Sequence, residues 1–115
     1  MTTLTFNWFN RLLNPNNKEH WRKKHKAAKL YKQEGFLLAR KFKPDVTEYL
    51  LNIEFHPPCA RGRDLDNCIA SIKSLLDGVA DGWGVNDKHF KFNKIAMHEP
   101  FRPNGKIIIT LENEE

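Results

Sequence analysis

Residues 48–55 read EYLLNIEF, and the alternation in this stretch decides the fold. Every second side chain is large and apolar: Tyr49, Leu51, Ile53 and Phe55. The intervening positions are mostly polar, as at Asn52 and Glu54. A period of two predicts a strand with one buried face. The strand should end at His56-Pro57-Pro58, because consecutive prolines remove hydrogen-bond donors from a sheet.

Upstream of this strand the sequence predicts a shorter strand and a helix. Residues 3–8 also alternate, with apolar groups at Leu4, Phe6 and Trp8. Asn16, followed three residues later by Glu19, is typical of a helix start with a reciprocal cap. We therefore expect a helix from about residue 17 to residue 33 or 34, ending near Gly35.

Downstream, helical spacing of apolar residues from Asp66 to Ala80 predicts a second helix, with Gly82 as its terminator. Residues 90–98 and 106–111 are predicted strands, and the turn residues Pro103-Asn104-Gly105 favour a hairpin between them. The order β-α-β-α-β-β predicts one α+β domain spanning residues 1–115, with an α/β-like mixed sheet and helices packed on it.

Charge is unevenly distributed along the chain. The net charge is +5, but residues 1–63 carry 13 Lys and Arg against five Asp and Glu, whereas residues 64–115 carry six against nine. The basic half favours an anionic polymer as partner. The acidic half favours a bound cation, because carboxylates alone repel phosphate.

Nothing in the sequence predicts membrane association. The longest apolar run, residues 36–39, is far shorter than the ~20 residues a spanning helix needs. The N-terminal residues MTTLTFNWFNR lack the pattern of a secretory signal. We therefore expect a cytoplasmic protein, in which Cys59 and Cys68 are reduced thiols.

Basic residues share one stripe of the first predicted helix: Lys18, Arg22, His25, Lys29 and Lys32. Such a stripe is either a solvated surface or a track for backbone phosphates, and the scarcity of acidic partners favours the second interpretation. The five histidines are scattered along the sequence, and none is assigned a catalytic role.

Asp64 and Asp66 stand where a loop becomes the second predicted helix. In an extended segment this spacing puts both carboxylates on one side. A helix cap needs only one aspartate. Two carboxylates about 4 Å apart repel by about 1 kcal/mol in water, unless a cation lies between them. The pair therefore indicates a metal site.

Lys73 and Asp87 extend this candidate site. On the second predicted helix Lys73 shares the face of Asp66, so it either reaches back towards a bound phosphate or forms a salt bridge with Asp77. Asp87 is either a turn residue or, if the predicted hairpin places its strand beside the helix start, a third carboxylate. Three carboxylates would suit Mg²⁺.

The segment Arg63-Asp64-Leu65-Asp66-Asn67, the helix carrying Lys73, the Asp-Gly at residues 77–78 and Asp87 ahead of a strand resemble the RusA family of Holliday junction resolvases. The resemblance covers residues ~61–111 well. It implies a small bacterial or prophage endonuclease, acting as a homodimer in the cytoplasm. Such an enzyme makes paired symmetric cuts in a four-way DNA junction during recombination and repair, leaving 5′-phosphate and 3′-hydroxyl ends.

Carried over by position, the resemblance implies that Asp64, Asp66 and Asp87 bind Mg²⁺, with Mn²⁺ as a possible substitute, and that Lys73 assists at the phosphate. The best-known family form has its lysine at the position of Ala70, about 4.5 Å nearer along the helix axis. The basic residues expected to grip backbone phosphates are Arg61, Arg63, Lys18, Arg22, Lys29 and Lys32.

Two alternatives stay open at the level of sequence. One is a DNA- or RNA-binding module whose aspartates only cap the helix and interact with solvent. The other is a nuclease of the same fold without a preference for junctions.

Overall fold

The computed structural model describes residues 2–112, so Met1 and residues 113–115 of the predicted domain lie outside the described residues. Four strands form in the described part: β1 (Thr3–Asn7), β2 (Tyr49–His56), β3 (Phe90–Met97) and β4 (Lys106–Leu111). Three α-helices accompany them: α1 (Trp21–Ala39), α2 (Leu65–Ser71) and α3 (Lys73–Trp83). The predicted α+β class is confirmed.

The strands form one mixed sheet in the order β1-β4-β2-β3. β2 pairs parallel to β3 and antiparallel to β4, and β4 also pairs antiparallel to β1. The predicted hairpin between β3 and β4 is therefore wrong, because β2 lies between them. The reason is burial: β4 is apolar enough for the sheet interior, while the polar β3 suits an edge.

The sheet buries one face. Burial alternates along β2 with a period of two, as its sequence predicts, and the same alternation occurs in β1 and β4. Side chains from these strands meet those of the helices in one core, in which the largest fully buried group is Trp83. Trp83 stacks on Tyr49, with ring centroids 5.5 Å apart, so it is a core residue.

α1 differs from its predicted bounds at both ends. It begins at Trp21 because His20 occupies the N-cap position, where its Nδ1 accepts a hydrogen bond from the Arg22 amide at 3.1 Å. The predicted cap between Asn16 and Glu19 does not form, since Glu19 donates its amide to Asn17 instead. At the other end the helix continues through Gly35 to Ala39.

Gly35 does not end α1 because it serves the contact between α1 and α3. A Cβ on Gly35 would lie 2.5 Å from the Leu75 carbonyl oxygen, and one on Gly78 would lie 2.0 Å from that of Lys32. The backbones of the two helices therefore approach more closely than any side chain would permit.

The helix predicted over residues 66–80 is two helices. The chain breaks at Ile72, whose φ of −104° and ψ of 11° end α2 and begin α3. α3 continues past the predicted terminator Gly82, which packs against Phe36 of α1, and ends at Gly84, which adopts the left-handed conformation with φ of 72°. The shared face deduced for Asp66 and Lys73 assumed a continuous helix, and that assumption is wrong.

Candidate functional site

Asp64 and Asp66 are both exposed at the start of α2. Asp64 occupies the N-cap position with an extended backbone, but its side chain makes no capping hydrogen bond and instead accepts a long one, of 3.5 Å, from Asn67. Within residues 2–112, neither aspartate forms a salt bridge. Helix capping by a side chain therefore does not explain the pair.

A cleft of about 890 Å³ opens beside Asp64. It lies between the segment that follows β1 and the loop that follows β2. Its charged lining comprises three arginines and one carboxylate: Arg11, Arg61, Arg63 and Asp64. Trp8 adds an aromatic surface to the wall. The arrangement places positive charge beside an exposed carboxylate, which suits a phosphate that is held together with a cation.

The two arginines of the loop before α2 differ in their contacts. The guanidinium of Arg63 donates to the backbone carbonyls of Cys59 and Arg61, each at 3.0 Å, and lies 5.6 Å from the centre of the Trp8 ring. Arg63 thus fixes the loop. Arg61 lines the same cleft and is exposed, which leaves its guanidinium available to a ligand.

The loop also changes the chemistry of Cys59. Hydrogen bonds from the Arg61 backbone and from the Arg63 side chain, which lies 3.4 Å from the sulfur, lower the pKa of the Cys59 thiol. Cys68 is buried, and burial raises the pKa of its thiol. The two cysteines are free, as the sequence predicts, and the pKa values of their thiols are shifted in opposite directions.

Lys73 joins two carboxylates on the other side of the α2–α3 break. Its Nζ lies 3.0 Å from Asp77 Oδ1 and 3.3 Å from Asp87 Oδ2. Hydrogen bonds to Asp77 and Asp87 raise the pKa of the lysine, and the bond from Lys73 lowers the pKa of Asp87. The salt bridge to Asp77 anticipated as an alternative is confirmed, while the assistance of Lys73 at a phosphate stays a prediction.

Asp64, Asp66 and Asp87 do not converge in this structure. In the described part of the chain, their oxygens do not form a set lying within 4.8 Å of one another. Asp64 lines the arginine cleft, whereas Asp87 lines a second depression together with Lys32, Asp77 and Asp81. The hairpin expected to bring Asp87 to the helix start does not exist. The three-ligand metal site therefore stays a prediction.

The predicted basic stripe is shorter than expected. Lys18 precedes α1, because the helix begins at Trp21, and so it is not on the stripe. Lys32 Nζ lies 3.4 Å from Asp81 Oδ2, so this ion pair connects α1 to α3. Arg22 and Lys29 are exposed on α1, with the Arg22 guanidinium 5.4 Å from the centre of the Trp21 ring. Arg22 and Lys29 remain candidates for phosphate contacts.

The sequence did not predict the side-chain cluster formed by Glu54, His56 and His98. Glu54, His56 and His98 bring one ligand atom each within 4.8 Å of the others. The spacing of Glu54 and His56 on one strand puts both on the same sheet face, and this signal was available in the sequence. His98 could not be added to them, because its place depends on the parallel pairing of β2 with β3.

The sequence was compared with known proteins. It is 32% identical over 117 residues to an uncharacterized protein of Xylella fastidiosa, and the match covers 96% of this chain and 76% of that protein. The chain belongs to the same family as that protein. No family model matches the sequence.

Within residues 2–112, no helix combines the length and the apolar character needed to cross a membrane.

Proposed function

We propose that this protein is a Mg²⁺-dependent DNA endonuclease that cuts four-way junctions during recombination and repair. The observation that carries the proposal is the exposed pair Asp64 and Asp66. Within residues 2–112 the Asp64 side chain makes no capping hydrogen bond, neither aspartate forms a salt bridge, and Asp64 lines a cleft together with three arginines. The motif that resembles the RusA family spans the same two aspartates. The proposal includes the family's homodimer and a cytoplasmic location in a bacterial or phage-infected cell.

The residues present suit Mg²⁺ in their chemistry. Mg²⁺ prefers carboxylate oxygens and retains several waters, and two exposed aspartates leave room for those waters. Asp64 and Asp66 would hold the ion, and Asp87 would join them if it exchanged its bond to Lys73 for the metal. When bound, the ion would supply an activated water and neutralise charge on a phosphodiester.

The remaining roles belong to the chain's own cations. Arg61, and Arg11 across the cleft, would bind backbone phosphates and position the strand against the carboxylates. Arg22 and Lys29 on α1 would extend the same contact. Lys73, once released by Asp87, would offer its ammonium to the phosphate as a point charge. Contacts of this kind hold DNA without selecting its sequence.

A homodimer follows from the symmetry of the proposed substrate. A four-way junction has an approximate two-fold axis, so two symmetric cuts require two sites related by a two-fold axis. One site in each chain of a dimer meets this requirement.

The test is a cleavage assay on a labelled four-way junction, with and without Mg²⁺, and with Mn²⁺ as a substitute. We expect the wild type to cut only with the metal, and Asp66→Asn to lose cleavage while binding the junction as well or better, because a repulsive charge is removed. Asp45→Asn, at an exposed loop position outside the cleft, is the matched control and should cut normally.

The alternatives give different results in the same assay. A binding module would bind the junction without cutting it under any metal condition, and Asp66→Asn would change nothing. A nuclease without junction preference would cut a flap and a linear duplex as fast as the junction. Either result would replace the proposed function.

A further inference from the structure

We propose that Glu54, His56 and His98 form a second cation site, selective for a transition metal such as Zn²⁺, on the face of the sheet opposite the core. Glu54 and His56 occupy the half-buried positions of β2, between core residues. His98 directly follows β3, and its amide donates to the Phe55 carbonyl at 2.8 Å. The parallel pairing of β2 and β3 therefore places the two histidines side by side.

The distances suit one small ion. His56 Nε2 lies 3.0 Å and His98 Nδ1 lies 4.0 Å from the same oxygen, Glu54 Oε1. Ligands bound to Zn²⁺ at about 2.0–2.2 Å in a tetrahedron are separated by about 3.4 Å, which lies between these two values. The third separation, between the ligand atoms of His56 and His98, is at most 4.8 Å.

The hydrogen bond behind His56 indicates how its ring is oriented. His56 Nδ1 lies 2.9 Å from the backbone carbonyl oxygen of Glu99, and a carbonyl only accepts. Nδ1 therefore carries the hydrogen. In the neutral ring, Nε2 then presents a lone pair to a carboxylate oxygen, and two acceptors 3.0 Å apart need either a proton or a metal ion between them. In a metal-binding histidine, the ring nitrogen that does not bind the metal usually donates its hydrogen to a carbonyl or carboxylate. That hydrogen bond fixes the orientation of the ring, and Nδ1 of His56 makes such a bond.

The ligand types select the metal. Two imidazoles and one carboxylate suit Zn²⁺ and related ions, whereas Mg²⁺ prefers oxygen ligands alone. The site is also accessible, since the side chains of Glu54 and His98 are 37% and 43% exposed. Three protein ligands leave a fourth position open to water or to a small ligand.

A lysine on the neighbouring strand has its ammonium against an aromatic ring. Lys106 pairs with His56 across the β2–β4 ladder, so its chain starts beside the cluster. Its ammonium, however, lies 4.2 Å from the centre of the Phe101 ring. Across from Glu54 the two neighbouring strands carry Ala96 and Ile108, which bring no competing charge.

The test uses metal titration of the full chain under reducing conditions, with Zn²⁺ followed by calorimetry and Co²⁺ followed by its absorption spectrum. We expect one ion per chain at this site and a Co²⁺ spectrum without a thiolate charge-transfer band. Glu54→Gln and His98→Gln should each weaken binding at least ~10-fold. His89→Gln, an exposed histidine outside the cluster, is the matched control.

Several outcomes would overturn the site. These are a thiolate band, wild-type affinity in both cluster variants, or a wild type that binds neither metal, which would leave only a proton shared by Glu54 and His56. Circular dichroism of each variant shows whether it is folded, and the exposed His98→Gln is the variant least able to disturb the core. The result is independent of the proposed function, because Asp66→Asn should bind Zn²⁺ at this site as the wild type does.

Discussion

Lys73 connects the first turn of α3 to the turn before β3, because its Nζ lies 3.3 Å from Asp87 Oδ2 while it also bonds Asp77. Asp87 is thus tied to the one basic residue expected to assist at the phosphate, and not to the carboxylates Asp64 and Asp66. If the proposed function is correct, binding of metal and DNA must compete with this ion pair.

Removing Lys73 should change the titration of Asp87. The lysine is the main cause of the lowered pKa of Asp87, so in Lys73→Ala that pKa should rise towards the usual aspartate value. Carboxyl NMR titration measures it, with the exposed α1 variant Lys26→Ala as the control. The same Lys73→Ala protein should lose cleavage activity, and normal cutting by it would remove Lys73 from the proposed mechanism.

The sign of the pH dependence follows from the two shifts. Because the pKa of Asp87 is lowered by folding, its contribution is present above pH ~4 and is lost as the pH falls through the lowered value. Because the pKa of Lys73 is raised, its contribution is present below pH ~10 and is lost above the raised value. The stability difference between the wild type and Lys73→Ala should therefore be largest between these limits, as urea unfolding at several pH values would show.

Gly78→Ala should separate α1 from α3. The added methyl group would lie 2.0 Å from the Lys32 carbonyl oxygen, so the helices must move apart, at a cost of about 1–3 kcal/mol in unfolding free energy. Gly62→Ala is the matched control, because nothing lies within 4 Å of its Cβ position, and its change should stay within about 0.5 kcal/mol. Equal urea midpoints for the two variants would contradict the close approach of the helices.

Substitutions of Arg61 and Arg63 should have different effects, one on DNA binding and the other on stability. Arg61→Ala should weaken DNA binding and lower the slope of log K against log salt by about 1, with stability unchanged. Arg63→Ala removes the bonds that fix the loop, so unfolding should become easier by roughly 1–2 kcal/mol.

The pKa of the Cys59 thiol depends on hydrogen bonds from Arg61 and Arg63. Its pKa should rise in Arg63→Ala, because a hydrogen bond to the sulfur is lost. The rate of alkylation as a function of pH measures this change. A loop that keeps both its stability and its thiol chemistry without Arg63 would show that the guanidinium does not hold it.

Tyr31 should make folding sensitive to alkali. Its buried hydroxyl donates to the Asn7 carbonyl at 2.9 Å, and burial raises its pKa far above the usual value. Tyr31→Phe should cost about 0.5–1.5 kcal/mol near neutral pH. Because the pKa is raised by folding, the wild type loses this advantage as the pH rises above ~10, and the gap to Tyr31→Phe should shrink. A gap that is constant between pH 8 and pH 11 would contradict the assignment.

The elements and the fold class were accessible from the sequence. The period of two at Tyr49, Leu51, Ile53 and Phe55 reflects a single buried face, and the structure buries those four side chains. Helix ends were less predictable. Gly35 and Gly82 carry the local signal of a terminator, but both instead serve the contact between α1 and α3, which no local pattern reveals.

Some features of the candidate site could likewise be predicted from the sequence, whereas others depend on the tertiary structure. The sequence by itself determined that two neighbouring aspartates and a run of basic residues exist, because adjacency along the chain fixes adjacency in space over a few residues. Only the tertiary structure decided that β2 lies between β3 and β4, that Asp87 meets Lys73, and that His98 meets Glu54. Strand order depends on which strands bury the most apolar surface in the interior of the sheet, and this depends on the whole chain. Contacts that depend on strand order therefore cannot be derived from any single segment.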